Sequence, residues 1–181
     1  MLRGEPYDAM APDLVAERDA CRTRVERFNA VPFADRETAR GLLEELLGAV
    51  GEGVTLIPPF QCDYGSQIRV GARSFANFGL IVLDEAPVTI GADVLIGPGV
   101  QLITASHPLD AAARRTGEET ARPIQVEDDA WLAAGVIVLP GVTIGAGSVV
   151  GAGSVVTRDL PAGHLCFGNP CRVIRPLDAA G

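Results

Sequence analysis

The chain contains no lysine; all 15 of its positive side chains are arginine. Schiff-base chemistry and a phosphate loop built on lysine are therefore excluded. Histidine is almost as scarce, with only His107 and His164. The four cysteines, Cys21, Cys62, Cys166 and Cys171, form neither a CxxC pair nor a zinc-binding spacing and read as reduced thiols. Aromatic residues make up 5% of the chain, so the core has to be built from smaller side chains. The formal net charge of −8 leaves no broad surface for nucleic acid. A local arginine cluster would still hold an anionic ligand. No apolar run is long enough to span a bilayer and no signal peptide is legible, which together predict a cytoplasmic protein without membrane contact.

The chain is instead rich in glycine (21), proline (13) and aliphatic residues, within a hydrophobic share of 48%. At 181 residues this predicts one domain with many turns around a core of small aliphatic side chains. The first third is helical in character. Pro12 and Asp13 suit a first helical turn, and Leu14, Cys21, Val25 and Phe28 then share a face up to Asn29. A second helix is expected from Asp35, a good N-cap, with Leu42, Leu43, Leu46, Leu47 and Val50 at helical spacing before a stop at Gly51. Both helices leave apolar faces that must dock on the rest of the chain.

From about Val70 the period changes to six. Ile90, Ile96 and Leu102 open successive units, and so do Val126, Leu132, Val138, Ile144, Val150 and Val156. Four residues after an opening residue comes a small or β-branched one, among them Val94, Val100, Ala130, Val136, Val142, Ser148 and Ser154. Gly91, Gly97, Gly145 and Gly151 follow their aliphatic residues directly, where a corner is expected to need a permissive backbone. Earlier units open at Val70, Ala76 and Val82, with a slip of two residues before Ile90. Period six is the mark of a hexapeptide-repeat parallel β-helix, in which each coil buries its core against the next. Periodicity alone does not give the hand of the coil.

The repeat breaks at Thr104–Asp110, TASHPLD. Continued through residues 108–125, it would place Pro108, Arg114 and Thr120 at core positions, and charge there is incompatible with a core. Residues 108–123 are therefore expected to leave the coil as a loop, rejoining a strand around Ile124. Leu102 and Val126 lie four units apart, so the coil resumes in phase. Loops of that length are usually functional.

Six segments carry a family resemblance: GEPYD (4–8), PPFQCDYG (58–65), FANFGLIVLD (75–84), IGPGVQLITASHPLD (96–110), PGVTIGAGSVVGAGSVVTRDLP (140–161) and GNPCRVIR (168–175). Through them the chain resembles the maltose and galactoside O-acetyltransferase branch of the hexapeptide-repeat acyltransferases, which includes the nodulation acetyltransferases. The resemblance implies a mainly β fold, a left-handed parallel β-helix of hexapeptide repeats with a small N-terminal α-helical region. Its parts would be a helical N-terminal region (1–53), a β-helix catalytic domain (54–176) with the excursion 108–123, and a tail (177–181).

The resemblance also implies a reaction, transfer of acetyl from acetyl-coenzyme A to a hydroxyl of a sugar such as maltose, glucose or a galactoside. The hydroxyl, a primary one, would attack the thioester directly, with His107 as general base and no covalent enzyme intermediate. An unperturbed imidazole titrates near ~6.5 and so accepts an alcohol proton at neutral pH. Asp84, Glu85, Asp110, Glu118 and Glu119 are acidic candidates for orienting it, and spacing does not choose among them. The acceptor would meet Asp8, Asp63, Phe75, Asn77, Asp84 and Glu85. Related enzymes often carry Tyr at the place of Phe75 and some carry Ser at that of Asp63, differences that bear on the acceptor rather than on the reaction.

Coenzyme A contacts would fall on Trp131, Ala134, Ala152, Thr157, Arg158, Arg172 and Arg175, with Ala134 contributing only its backbone. The arginines would neutralise phosphates in an otherwise acidic protein. Each residue also has a plainer reading: Asp63 and Asn77 as corner residues, Asp8 as a helix-entry cap, Trp131 as an outer-face contact between subunits. A homotrimer with each site between two β-helices is implied, and no metal is required. A zinc hydratase on the same scaffold would need three histidines, more than the chain has. A non-catalytic assembly protein, or an acetyltransferase acting on an antibiotic, serine or an amino sugar, are the remaining alternatives.

Overall fold

A computed structural model describes Met1 and residues 4–177; four residues of the expected tail 177–181 lie outside the described residues. Its body is a three-faced prism of parallel β-coils. The first face stacks Ala49–Val50, Ile68–Val70, Val88–Ile90, Ile124–Val126 and Thr143–Ile144. The second stacks Thr55–Leu56, Phe75–Ala76, Leu95–Ile96, Trp131–Leu132, Val149–Val150 and His164–Gly168, then closes with the antiparallel strand Cys171–Pro176. The third stacks Phe60–Cys62, Leu80–Leu83, Gln101–Ile103, Ile137–Val138 and Val155–Val156.

The period-six positions point inward. Ile90, Ile96, Leu102, Val126, Leu132, Val138, Ile144, Val150 and Val156 are all buried, and so are Val94, Val100, Ala130, Val136, Val142, Ser148 and Ser154 at the corners. Each fully buried Val, Leu or Ile contributes roughly 1.5–3 kcal/mol relative to exposure. A column of such residues shared between neighbouring coils is what holds two-residue strands in place. The β-helix starts one coil earlier than the repeat suggests: Val50, Leu56 and Cys62 are in register with Val70, Ala76 and Val82. The first coil keeps the spacing of six, but the two extra residues between Cys62 and Val70 put it out of phase with the rest.

The parallel register locates both widened coils and the excursion at one corner. Val50 faces Val70, which faces Ile90, a step of 20 residues per coil. Val126 faces Ile144, a step of 18. Both surplus residues in the wide coils fall between the third face and the first, in Cys62–Val70 and again in Val82–Ile90, each eight apart rather than six. The excursion lies between Leu102 and Val126, at the same corner one coil on. This corner takes extra residues without disturbing the faces, whether or not their number is a multiple of six.

Helix α1 (Pro12–Asn29) buries Cys21, Val25 and Phe28. Phe28 meets Phe60 edge-on with ring centroids 6.5 Å apart. Asn29 pins the helix end to the first coil: its Nδ2 donates to the Phe60 carbonyl and its Oδ1 accepts from the Phe60 amide, both at 2.8 Å. Helix α2 (Arg36–Leu46) has Asp35 as N-cap, accepting from the Thr38 amide at 3.1 Å. It ends at Leu46 rather than near Gly51, and Val50 already belongs to the first face. Arg40 closes the junction by donating to the carbonyls of Gly51 and Val50. No helix among the described residues is long and apolar enough to cross a membrane.

Gly91, Gly97, Gly145 and Gly151 correct the expectation of a permissive backbone, because none has a left-handed φ. A Cβ on Gly97 would stand 2.7 Å from the Ala134 nitrogen, and one on Gly145 2.4 Å from the Ala162 nitrogen. These glycines are needed for the close approach of successive coils. The left-handed residue of such a corner comes later, as at Gly99 and Gly147.

Candidate active site

The excursion is not an open loop. Ala105–Ser106 pairs antiparallel with Glu118–Ala121, and the short helix α3 (Ala111–Arg114), capped by Asp110, fills the bend between them. Tyr7–Asp8, near the N-terminus, adds a third antiparallel strand on the outer edge of Glu118–Ala121. Pro108 and Arg114, which the repeat would have put in the core, lie outside it, and Ile124 rejoins the first face.

This three-stranded arm sets the surroundings of His107. Ala105 faces Ala121 and Ser106 faces Thr120, so the next step of the register brings His107 beside Glu119. The His107 Nε2 lies 3.6 Å from the Glu119 Oε1, with the imidazole 55% exposed and the carboxylate 17% exposed. The other carboxylate oxygen, Oε2, accepts a hydrogen bond from the Tyr7 hydroxyl at 2.8 Å. Among the five acidic candidates for a partner, the structure puts Glu119 beside the imidazole. Burial, then the Glu119 carboxylate, hold the Tyr7 phenol protonated far above its ordinary range. His164 lies at the far end of the prism, its Nδ1 2.7 Å from the Ala162 carbonyl.

Below the arm, the two widened corners contribute carboxylates. Asp84 is fully buried, and its Oδ1 accepts from the amides of Asp63 and Tyr64 at 3.0 and 2.9 Å, which fixes the Asp63 corner. Its Oδ2 has no partner among the described residues. Burial therefore raises the Asp84 carboxyl against the pull of those two amides. Glu85 is buried, within hydrogen-bonding reach of Asp63, and its Oε2 lies 3.3 Å from Thr104 Oγ1. Burial first, and then Asp63, push Glu85 up to about 8. Asp8 lies at the outer edge, lining an open cleft with Pro6, Tyr7, Thr116 and Glu118 while its Oδ1 accepts from the Met10 amide. The corner thus gathers His107, Glu119, Asp63, Asp84, Glu85 and Asp8.

Glu85 makes stability depend on pH. Its folded value is raised, so above the ordinary carboxylate value the unfolded chain releases the proton while the folded protein keeps it. Folding then binds a proton, and this contribution to stability falls as pH rises from about 4.5 toward about 8. Glu85→Gln should flatten the decline. Unfolding midpoints at pH 5 and pH 8 test this, and an equal decline in both proteins would refute it.

The remaining expected residues lie elsewhere on the same chain. Phe75 and Trp131 point outward from the second face in one column, with Leu95 between them. Asn77, Ala134 and Ala152 lie at the corner between the second and third faces, so the whole third face separates them from His107. Asn77 stabilises its own turn, accepting from the Phe78 amide at 2.8 Å. The Ala134 and Ala152 amides donate to no acceptor among the described residues. Thr157 and Arg158 follow the last strand of the third face. Arg172 and Arg175 lie on the closing strand, and among the described residues neither they nor Arg158 is in a salt bridge.

Tyr7, Thr104 and Tyr64 are missed by reasoning from sequence. Tyr7 lies in GEPYD, next to Asp8, but only strand pairing across 112 residues reveals its contact. A separate apolar groove, between Val31–Leu43 and Val54–Pro58, is lined by a single charged side chain, Arg36, and by no acid or base for the reaction. Cys21 and Cys62 are buried with sulfurs 3.6 Å apart, and their contact together with burial pushes the Cys62 thiol up, away from a nucleophile's range.

Comparison with known proteins places the chain by family and by fold. Residues 1–51 match the maltose acetyltransferase hexapeptide capping motif, and residues 123–158 match the bacterial transferase hexapeptide family (six repeats). Nodulation protein L of Rhizobium meliloti (strain 1021) is 47% identical over 96% of this chain and 94% of its own length. The structure of a maltose O-acetyltransferase from Clostridium difficile 630 superposes with a TM-score of 0.96 at 41% identity, covering 98% of this chain and 95% of that one. A hexapeptide-repeat acetyltransferase from Vibrio cholerae O1 biovar eltor, solved with acetyl-coenzyme A, gives 0.92 at 41% identity, covering 98% and 96%.

Proposed function

The chain belongs to the maltose acetyltransferase branch of the hexapeptide-repeat acyltransferases, and on that premise we propose that it is an O-acetyltransferase carrying acetyl from acetyl-coenzyme A to a sugar hydroxyl. The observation that carries the reading is His107 at the root of the arm, half exposed, with Glu119 behind it and the carboxyls of Asp63 and Glu85 on the same corner. His107 takes the proton as the sugar oxygen attacks the thioester carbonyl. The Glu119 carboxylate faces the imidazolium that forms. At 3.6 Å the contact is too long for a hydrogen bond and becomes an ion pair only once the imidazole holds the proton. The oxyanion needs a donor aimed at it, and the free backbone amide of Ala134 from an adjacent copy is the type of group required, since its own His107 lies a full face away. The proton on imidazole then goes to the departing thiolate, so His107 ends as it began.

The acceptor is bound through short carboxyls, which hydrogen-bond hydroxyl groups in a set geometry. Asp8, Asp63, Asp84 and Glu85 supply these, Asp84 through the corner it fixes. Glu85 raised to about 8 keeps its proton at neutral pH, so it also donates. Coenzyme A is received by Trp131, Ala134, Ala152 and Thr157, with Arg158, Arg172 and Arg175 meeting its phosphates. Phe75, Asn77 and Trp131 serve the site of an adjacent copy in a homotrimer. Two features support this. The outward column Phe75, Leu95, Trp131 and Val149 on the second face is apolar, and its residues lie a full face away from their own His107.

The reading is tested by incubating the protein with acetyl-coenzyme A and a panel of mono- and disaccharides and nucleotide sugars, following free thiol release. Turnover that depends on a sugar is the expected result. A panel in which no sugar raises thiol release above background would overturn it.

A further inference from the structure

We propose that Tyr7 is a positioning residue for the transfer step, holding the Glu119 carboxylate in place against His107. The inference rests on the reading of His107 as general base. Its ground is a single row across the three-stranded arm: Tyr7 faces Glu119 directly, and the register on the other side brings His107 alongside the same residue. The side chains follow the row, with Tyr7 hydroxyl to Glu119 Oε2 at 2.8 Å and Glu119 Oε1 to His107 Nε2 at 3.6 Å.

Glu119 has little else to hold it. Its side chain is mostly buried, and among the described residues it is in no salt bridge with an arginine. A carboxylate with one oxygen free to turn can swing away from the imidazole, and then the charge that forms on His107 loses its fixed counter-charge. The Tyr7 hydroxyl occupies one oxygen and so fixes the direction of the other. An electrostatic group already aimed at the developing charge needs no reorganisation during the reaction.

The segment carrying Tyr7 is itself anchored. Arg18 on α1 donates from Nη2 to the Ala9 carbonyl at 2.6 Å and from Nη1 to the Tyr64 hydroxyl at 2.7 Å. Helix α1, the strand Tyr7–Asp8 and the arm are thus linked in series, which gives the helical N-terminal region a part in the chemistry at a corner it does not itself form.

The test compares Tyr7→Phe, Glu119→Gln and the double variant in steady-state acetyl transfer. Tyr7→Phe keeps the ring and the strand pairing, and an unchanged unfolding midpoint checks this. A hydrogen bond to a charged group is typically strong enough for its loss to reduce kcat about tenfold, with KM for acetyl-coenzyme A unchanged. Because Tyr7 acts through Glu119, the double variant should be no slower than Glu119→Gln alone. A wild-type kcat in Tyr7→Phe overturns the assignment, and so does a double-variant loss equal to the product of the single losses. A wild-type protein that acetylates no sugar fails differently, since it removes the transferase reading and this assignment with it.

Discussion

His107→Ala lowers kcat for acetyl transfer by about 10²- to 10⁴-fold, the usual worth of a positioned general base. The fold should survive the change. The imidazole is 55% exposed and its only polar neighbour among the described residues is the Glu119 carboxylate at 3.6 Å, so its removal opens no core cavity. Glu119 keeps its bond from the Tyr7 hydroxyl. Loss of activity with an unchanged unfolding midpoint is therefore the expected pair of results. KM for acetyl-coenzyme A separates base catalysis from a binding effect: it should hardly move, because the donor contacts proposed above lie on other residues. Near-normal sugar-dependent turnover in the alanine variant would sink the assignment of His107.

The prism could be read from sequence because its core repeats. An opening aliphatic residue every sixth position leaves a period that survives many surface substitutions, and the opening residues named from Ile90 to Val156 all prove buried. Where the repeat is flanked by other structure, the period is lost to view. The first coil, Val50 to Cys62, has the same inward residues but sits between a helix end on one side and the widened corner on the other. The slip of two before Ile90 is visible in the sequence, but its meaning is not. Only the register shows that the slip at Asp84–Glu85, an equal one at Asp63–Tyr64 and the whole excursion fall at a single corner.

That corner is where the regular scaffold admits clustered polar and charged side chains. Faces repeat because each coil must match the next, and a polar residue turned inward there would strand unpaired groups in the core. The corner is free of that constraint. It can hold Asp84 against two backbone amides, set Glu85 beside Asp63, and let the arm depart with His107 at its root. The neighbours of His107 are hidden for another reason. Glu119 is one acid among five, and Tyr7 is 112 residues away from it along the chain. No local pattern encodes a contact made by an added edge strand.

Gly71→Ala, at a glycine that directly follows an opening residue, should destabilise the protein far more than Gly99→Ala. At Gly99 the φ is +69°, a conformation disfavoured for alanine by roughly 1–2 kcal/mol, but an added Cβ would meet nothing within 4 Å. At Gly71 the φ is not left-handed. An added Cβ would instead stand 2.4 Å from the Gly91 carbonyl carbon and 2.5 Å from the Ala92 nitrogen, both backbone atoms. No rotamer change relieves that clash, so the coils must part. Parting them strains the Gly71 amide to Ile90 carbonyl bond, now 2.7 Å, and the inward packing of Val70 on Ile90 beside it. The expected cost is about 3 kcal/mol or more, at the upper end for overpacking a close-packed interior. Denaturant unfolding of the two variants under one condition checks the order. A Gly71→Ala midpoint at or above that of Gly99→Ala would show that the coils separate easily. The glycines after each opening residue would then need another explanation than close approach.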